Sequence, residues 1–355
     1  MKIQLHIGTE KTGTTTIQHF CRDQRDSLLE KHILYPEALG KTNHTKLIAA
    51  LQNVNRVKSI RQRQGIHKKS NVRVLYHQLI ERLTKEIEQK SPQKMVISNE
   101  HLSSRLASSK ELLSLKKFLA NFSEDIEVYV YLRRQDEFLL SRYSTSVKNG
   151  RTKPFSIPKV NQERLDFYYD HLLEMWSQVF GQNTIHVRVF QKDLLVNRDI
   201  VSDFCDFLDI PLTAKSRVSH NISLDWKLLE FLRELNGHLP PFIDGRVNPA
   251  RANLVQVLSK IQKEMPKTTL IPVDRQDLRE FFLRFQEGNN KIAQLYLNKE
   301  ELFSYETVIR EPINISEDSQ VASFNLSLAD TLKYCADIWK IKQVEIDKIK
   351  SQLKV

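Results

Sequence analysis

The chain has 355 residues and a formal charge of +11, enough length to bury a large core in one α/β domain or a domain with an extension. Three cysteines, Cys21, Cys205 and Cys335, are too few and too far apart for a disulfide framework or a zinc site. The basic balance suits a polyanion or an anionic cofactor, but no arginine-rich tail and no Cys/His finger spacing points to nucleic acid.

The first predicted element is a strand over Ile3–Ile7, followed by a loop from Gly8 to Gly13 and a helix from Thr14 to Lys31. That helix carries Ile17, Phe20, Cys21, Leu28 and Leu29 on one side. A strand, a glycine-bounded loop and a helix N-terminus together make an anion cradle, because first-turn amides have no partner inside the helix and the dipole is positive there. No 18-residue apolar run follows, and the first strand begins where a leader or anchor would lie. The expectation is a cytoplasmic protein with no membrane span.

Residues 32–53 are mixed and include His44, whose polar surroundings suggest a surface loop. Between Asn53 and Arg73 runs a basic stretch without acidic residues: Arg56, Lys58, Arg61, Arg63, Lys68, Lys69 and Arg73. It reads as a solvated, mobile segment, or else as a lid for an anionic acceptor. A helix over Val74–Gln89 has Leu75, Leu79, Leu83 and Ile87 at four-residue steps and stops at Pro92. Further strands are predicted over Lys94–Glu100, Asp125–Arg134 and Asn183–Phe190. Helices are predicted over Ser109–Asn121, Gln135–Lys148, Leu165–Phe180 and about Asp199–Leu208.

This alternation predicts an α/β fold: a P-loop-like three-layer sandwich with a mostly parallel central sheet, helical additions and a C-terminal amphipathic helix. Ligands of such sheets sit at the carboxyl ends of the strands. That rule brings together the loops Gly8–Gly13, Ser98–Ser103 and Arg133–Ser141. Residues 1–215 are expected to form the core and 216–315 a helical continuation broken by prolines. In the segment 316–355, Leu328, Leu332, Cys335, Trp339, Ile346, Ile349 and Leu353 follow a heptad seam. The seam would join two copies as a homodimer or fold back on its own domain.

The first loop keeps the Walker spacing G-x-x-x-x-G-K-[ST] through Gly8, Gly13 and Thr15, with Thr14 in place of the lysine and Lys11 in mid-loop. A second signature is Arg133 at a strand end with Ser141 eight residues on, a guanidinium fork and a hydroxyl that suit one phosphate. Arg134 is adjacent and could substitute for Arg133.

The run Lys11-Thr12-Gly13-Thr14-Thr15 resembles the 5′-phosphosulfate loop of the sulfotransferases that use 3′-phosphoadenosine 5′-phosphosulfate (PAPS). The Arg133/Ser141 pair resembles their 3′-phosphate site, with Gln135 where the family often has proline or alanine. The resemblance implies a PAPS-dependent, anchorless sulfotransferase of the bacterial carbohydrate type, working without a metal. It implies that Thr9, Lys11, Thr12, Gly13, Thr14 and Thr15 line the 5′ side of the nucleotide, with Lys11 meeting charge on the leaving group. Arg133 and Ser141 would hold the 3′-phosphate. A hydroxyl acceptor needs a general base. Glu100, His101 and, more remotely, His44 are the candidates; Glu100 is preferred because it sits where the second predicted strand should end. The basic stretch favours a glycan or glycolipid acceptor. An unusual P-loop kinase or NTPase and a non-catalytic sulfotransferase-like binding protein are the alternatives.

Overall fold

The computed structural model describes residues 1–305 except 54, 56, 57, 64, 67, 212–223, 244, 245 and 265–272. In chain order the elements are β1 (Lys2–His6), α1 (Thr14–Asp23), α2 (Arg25–Leu29), β2 (Ile33–Leu34), α3 (Thr45–Leu51), α4 (Lys58–Arg63), α5 (Lys69–Lys90), β3 (Lys94–Ser98), α6 (His101–Arg105) and α7 (Ser109–Ala120). Then come β4 (Ile126–Leu132), α8 (Gln135–Lys148), α9 (Tyr169–Phe180), β5 (Ile185–Val189), α10 (Ile200–Phe207), α11 (Trp226–Leu235), β6 (Phe242–Ile243), β7 (Arg246–Val247), α12 (Pro249–Glu264), α13 (Arg275–Leu283) and α14 (Gln286–Ile292).

The five main strands form one sheet in the order β2-β3-β1-β4-β5, every neighbouring pair parallel. Parallel sheets are covered on both faces, and β1 shows what that demands of its residues. Ile3, Leu5 and Ile7 are fully buried on one face, yet Gln4 and His6 on the other are buried too. Each polar side chain is hydrogen-bonded at one end: Gln4 Nε2 donates to the Leu208 carbonyl (2.7 Å), and His6 Nδ1 lies 2.8 Å from Ser98 Oγ.

The predicted mostly parallel α/β fold is the observed one, with corrections inside it. The helix expected over Thr14–Lys31 is two helices meeting at Gln24, whose φ and ψ of −103° and 16° leave the helical range. Beyond the bend, Arg25 reaches the carbonyls of Tyr35 and Lys41. The mixed segment after it holds an unpredicted edge strand, β2, and an unpredicted helix, α3. Helix α3 buries Leu47, Ile48, Ala49, Ala50 and Leu51 in succession, so it shows no amphipathic period to read. In the basic stretch, Arg61 is buried and donates to the carbonyls of Ala49 and Gln52, so part of that stretch is structural rather than solvated. Helix α5 starts five residues before the predicted Val74, and α9 starts at Tyr169 rather than Leu165.

The chain divides into two compact units. One comprises Met1–Leu139, Ile157–His220 and Gln276–Ser304 and carries the sheet. The described part of the other includes the end of α8, α11, the β6–β7 hairpin and α12. Its core gathers Tyr143, Val147, Leu228, Leu229, Leu232 and Leu258, with Trp226 stacked on Tyr143. There the buried Arg251 guanidinium donates to the Val147 and Lys148 carbonyls at the negative end of α8. The C-terminal seam from Leu328 to Leu353 lies outside the described residues.

Candidate active site

Strands β3, β1 and β4 are adjacent and parallel, so the loops that leave them share the carboxyl edge of the sheet. The loop after β1 is held by its two glycines. Gly8 has φ +94°, and a Cβ there would stand 2.9 Å from Glu100 Cα. Gly13 has φ +78°, and a Cβ there would stand 2.9 Å from Ile200 Cγ1. Only glycine meets both conditions. Gly13 is also the N-cap of α1, so no side chain caps that helix, and its first turn carries no acidic residue. The helix start keeps its amides and its dipole for an anion.

The threonines divide the work. The Thr9 hydroxyl donates to the Tyr131 carbonyl (3.0 Å) and the Thr12 hydroxyl to the Thr9 carbonyl (2.7 Å). Both are buried and shape the loop from within. Thr14 is buried at the start of α1, and Thr15 is exposed.

Lys11 and Arg133, 122 residues apart in sequence, meet at this edge: Arg133 Nη1 donates to the Lys11 carbonyl at 3.0 Å. Arg133 also reaches Glu137 (3.2 Å) and lies over the Phe190 ring, while Tyr169 donates to its carbonyl. Burial and the Arg133 charge push the Lys11 ammonium below the ordinary lysine range, and Glu10 and Glu100 pull it back up. Arg134 is engaged elsewhere, in a two-pronged contact with Asp136 at 2.8 and 2.9 Å, which singles out Arg133. Gln135, the departure from the resembling pattern, has a fold reason. Its buried amide exchanges hydrogen bonds with Asn289 (2.8 and 3.1 Å), a pairing proline or alanine could not make. Ser141 lies on α8 in the second unit.

A glutamate inside an anion cradle needs an explanation, and Glu10 supplies one. Its carboxylate accepts from Ser104 Oγ at 2.6 Å and lies 3.5 Å from His101 Nδ1. Burial would raise its pKa, but His101, Ser104 and the Arg105 charge together hold it down at about 2. Glu10 therefore latches the β1 loop to α6.

The three candidate bases fall into different settings. Glu100 is the N-cap of α6 and accepts from the Gln18 amide at 2.7 Å. His101 faces Glu10. His44 is not a surface residue: it is fully buried, its ring against Tyr35, and its Nδ1 accepts the Ser98 amide N–H at 3.0 Å. That bond puts the proton on Nε2, and burial lowers the pKa to about 3. His44 supports the end of β3 and has no lone pair left for a substrate.

Gln18, Glu10 and Ser104 are site residues that the sequence did not reveal. Gln18 follows Thr14 by one helical turn, which is the signal that it lies on the same face of α1.

No family model matches the chain. It is 27% identical over 199 residues to an uncharacterized protein of Archaeoglobus fulgidus, covering 54% of this chain and 51% of that one. The chain thus spans about half the length of the curated relative it matches. Among solved structures it is similar to a sulfotransferase from Alicyclobacillus acidocaldarius (14% identity, 62% of this chain and 86% of that one, TM-score 0.38). It is similar to a sulfotransferase domain of the curacin biosynthetic pathway (12%, 80% and 96%, TM-score 0.34). A third likeness is to the PezAT toxin–antitoxin system of Streptococcus pneumoniae (15%, 74% and 86%, TM-score 0.28).

Proposed function

We propose that the protein is a sulfotransferase that moves a sulfuryl group from PAPS to an acceptor hydroxyl on a carbohydrate or glycolipid. The observation that carries this reading is the 3.0 Å contact between Arg133 and the Lys11 carbonyl. It joins the two motifs that a donor with phosphates at both ends would need, beside a carboxylate suited to act as base.

The amides at the start of α1 and the Thr14 and Thr15 hydroxyls hold the 5′-phosphate. Arg133 holds the 3′-phosphate. Glu100 takes the acceptor's proton as its oxygen bonds to sulfur. The bond from sulfur to the 5′-phosphate oxygen breaks, and Lys11 meets the charge that develops there. The products are the sulfated acceptor and 3′,5′-ADP. A sulfuryl group carries less negative charge than a phosphoryl group, so the reading calls for no metal.

Transfer of labelled sulfate from PAPS across a panel of glycans and glycolipids tests the reading. Sulfation that disappears in Lys11→Ala supports it; unimpaired turnover in that variant refutes the mechanism.

A further inference from the structure

Glu100 is a long side chain at the start of a five-residue helix, and such a group does not hold one position unaided. Two contacts hold it. Its backbone is packed on Gly8, where even one added carbon would stand 2.9 Å from Glu100 Cα. Its carboxylate is gripped by Gln18, whose Nε2 donates to Oε2 at 2.7 Å. Gln18 is 3% exposed, so its amide is withdrawn from water and depends on partners inside the protein.

The origin of this grip gives it meaning. Gln18 belongs to α1, the helix whose uncapped N-terminus faces the β1 loop. One rigid element therefore fixes both ends of the reaction line: the amides that receive the donor's 5′-phosphate and the donor group that aims the base. An amide suits the second task. It has a hydrogen to give and no charge to add beside Lys11, and it does not compete for the acceptor's proton. With Oε2 held, Oε1 is the oxygen that receives the proton. His101 lacks this link to α1, since its neighbour is Glu10 in the loop.

We propose that Gln18 is a positioning residue that acts through Glu100, orienting the carboxylate for the acceptor hydroxyl. This rests on the sulfotransferase reading above.

The test is a double-mutant cycle on the full chain with Gln18→Met, which keeps the length of the side chain and removes the donor, Glu100→Gln, and the two combined. The assay uses PAPS and the best acceptor from the glycan panel. Gln18→Met is expected to lower kcat by about 10- to 100-fold, the scale of a misplaced reacting group. The KM for PAPS and the affinity for 3′,5′-ADP should stay put. In the Glu100→Gln background the same change should have no further effect.

Three results would overturn the proposal: an unchanged kcat, a raised KM for PAPS, or losses that simply multiply. A raised KM would mean that Gln18 only supports α1. A Gln18→Met chain that fails to fold is replaced by Gln18→Leu under the same criteria, and failure of both makes Gln18 structural and ends the proposal. A wild-type protein that neither binds 3′,5′-ADP nor sulfates any acceptor overturns the sulfotransferase reading and this inference together. An active wild type with an indifferent Gln18 overturns the inference alone.

Discussion

The two edges of the parallel sheet treat their cations in opposite ways. At the amino edge, a cavity of about 510 Å³ is lined by Lys2, Lys94, Asp125, Glu127 and Asp209 among others. Each lysine there has its own carboxylate: Lys2 lies 2.9 Å from Glu127, and Lys94 lies 2.8 Å from Asp209. The hydrogen bond to Glu127 raises the Lys2 pKa. At the carboxyl edge, Lys11 is pushed down by burial and by the neighbouring Arg133. Like charges drawn together work against stability, and a fold keeps them where an anion is to be received. The difference separates the two edges more sharply than cavity size does, since the Lys2 ammonium is raised by its carboxylate at the roomy amino edge while burial and Arg133 lower the Lys11 ammonium at the carboxyl edge.

Removing one cation at a time breaks this contrast. The largest effect should come from Lys11→Ala, which is expected to lower sulfate transfer by roughly 10²–10³-fold with the circular dichroism unchanged. Arg133→Met should weaken 3′,5′-ADP binding by about 10- to 100-fold in calorimetry, the worth of a charge-assisted hydrogen bond. Its neighbour provides the control. Arg134→Met leaves Asp136 buried without its partner, so it should cost roughly 3 kcal/mol of stability in denaturant melts while leaving nucleotide affinity intact.

Glu10 sharpens the comparison through pH. Its carboxyl titrates at about 2 in the folded chain, below the ordinary 4.5. A depressed acid stabilises the fold fully above the ordinary value, and that contribution is lost as pH falls toward the folded value. Stability should therefore decline between about pH 5 and 2, with Glu10 accounting for about 2–3 kcal/mol. Glu10→Gln should flatten that part of the profile in acid melts. The smallest effect belongs to the amino edge. Lys2→Met breaks a part-buried ion pair at the sheet's amino edge and should leave turnover unchanged, with a melting temperature shifted by a few degrees at most.

What the sequence made legible follows from which signals are local. The β1 strand, the glycine-bounded loop and the start of α1 were readable because apolar period, glycine and helix onset all fall within residues 3–15. Helix α8 was found with its full bounds, Gln135–Lys148. Edge strand β2 was missed because two residues make no pattern, and α3 because burial all round erases amphipathic spacing. At the site, Lys11, Arg133 and Glu100 stood out by type and position. Gln18 and Ser104 did not, since their roles come from tertiary contacts with Glu100 and Glu10, 82 and 94 residues apart in sequence. The buried state of His44 was illegible for the same reason, as its partner Ser98 ends β3, 54 residues away in sequence.

The most direct test of the central claim is calorimetric titration of the wild-type chain with 3′,5′-ADP in the absence of metal, set against ATP with Mg²⁺. One site for 3′,5′-ADP, weakened in both Lys11→Ala and Arg133→Met, with no matching site for ATP·Mg²⁺, is the result the account predicts. Tight binding of ATP·Mg²⁺ with indifference to 3′,5′-ADP would contradict it and make the chain a P-loop kinase or NTPase of unusual sequence.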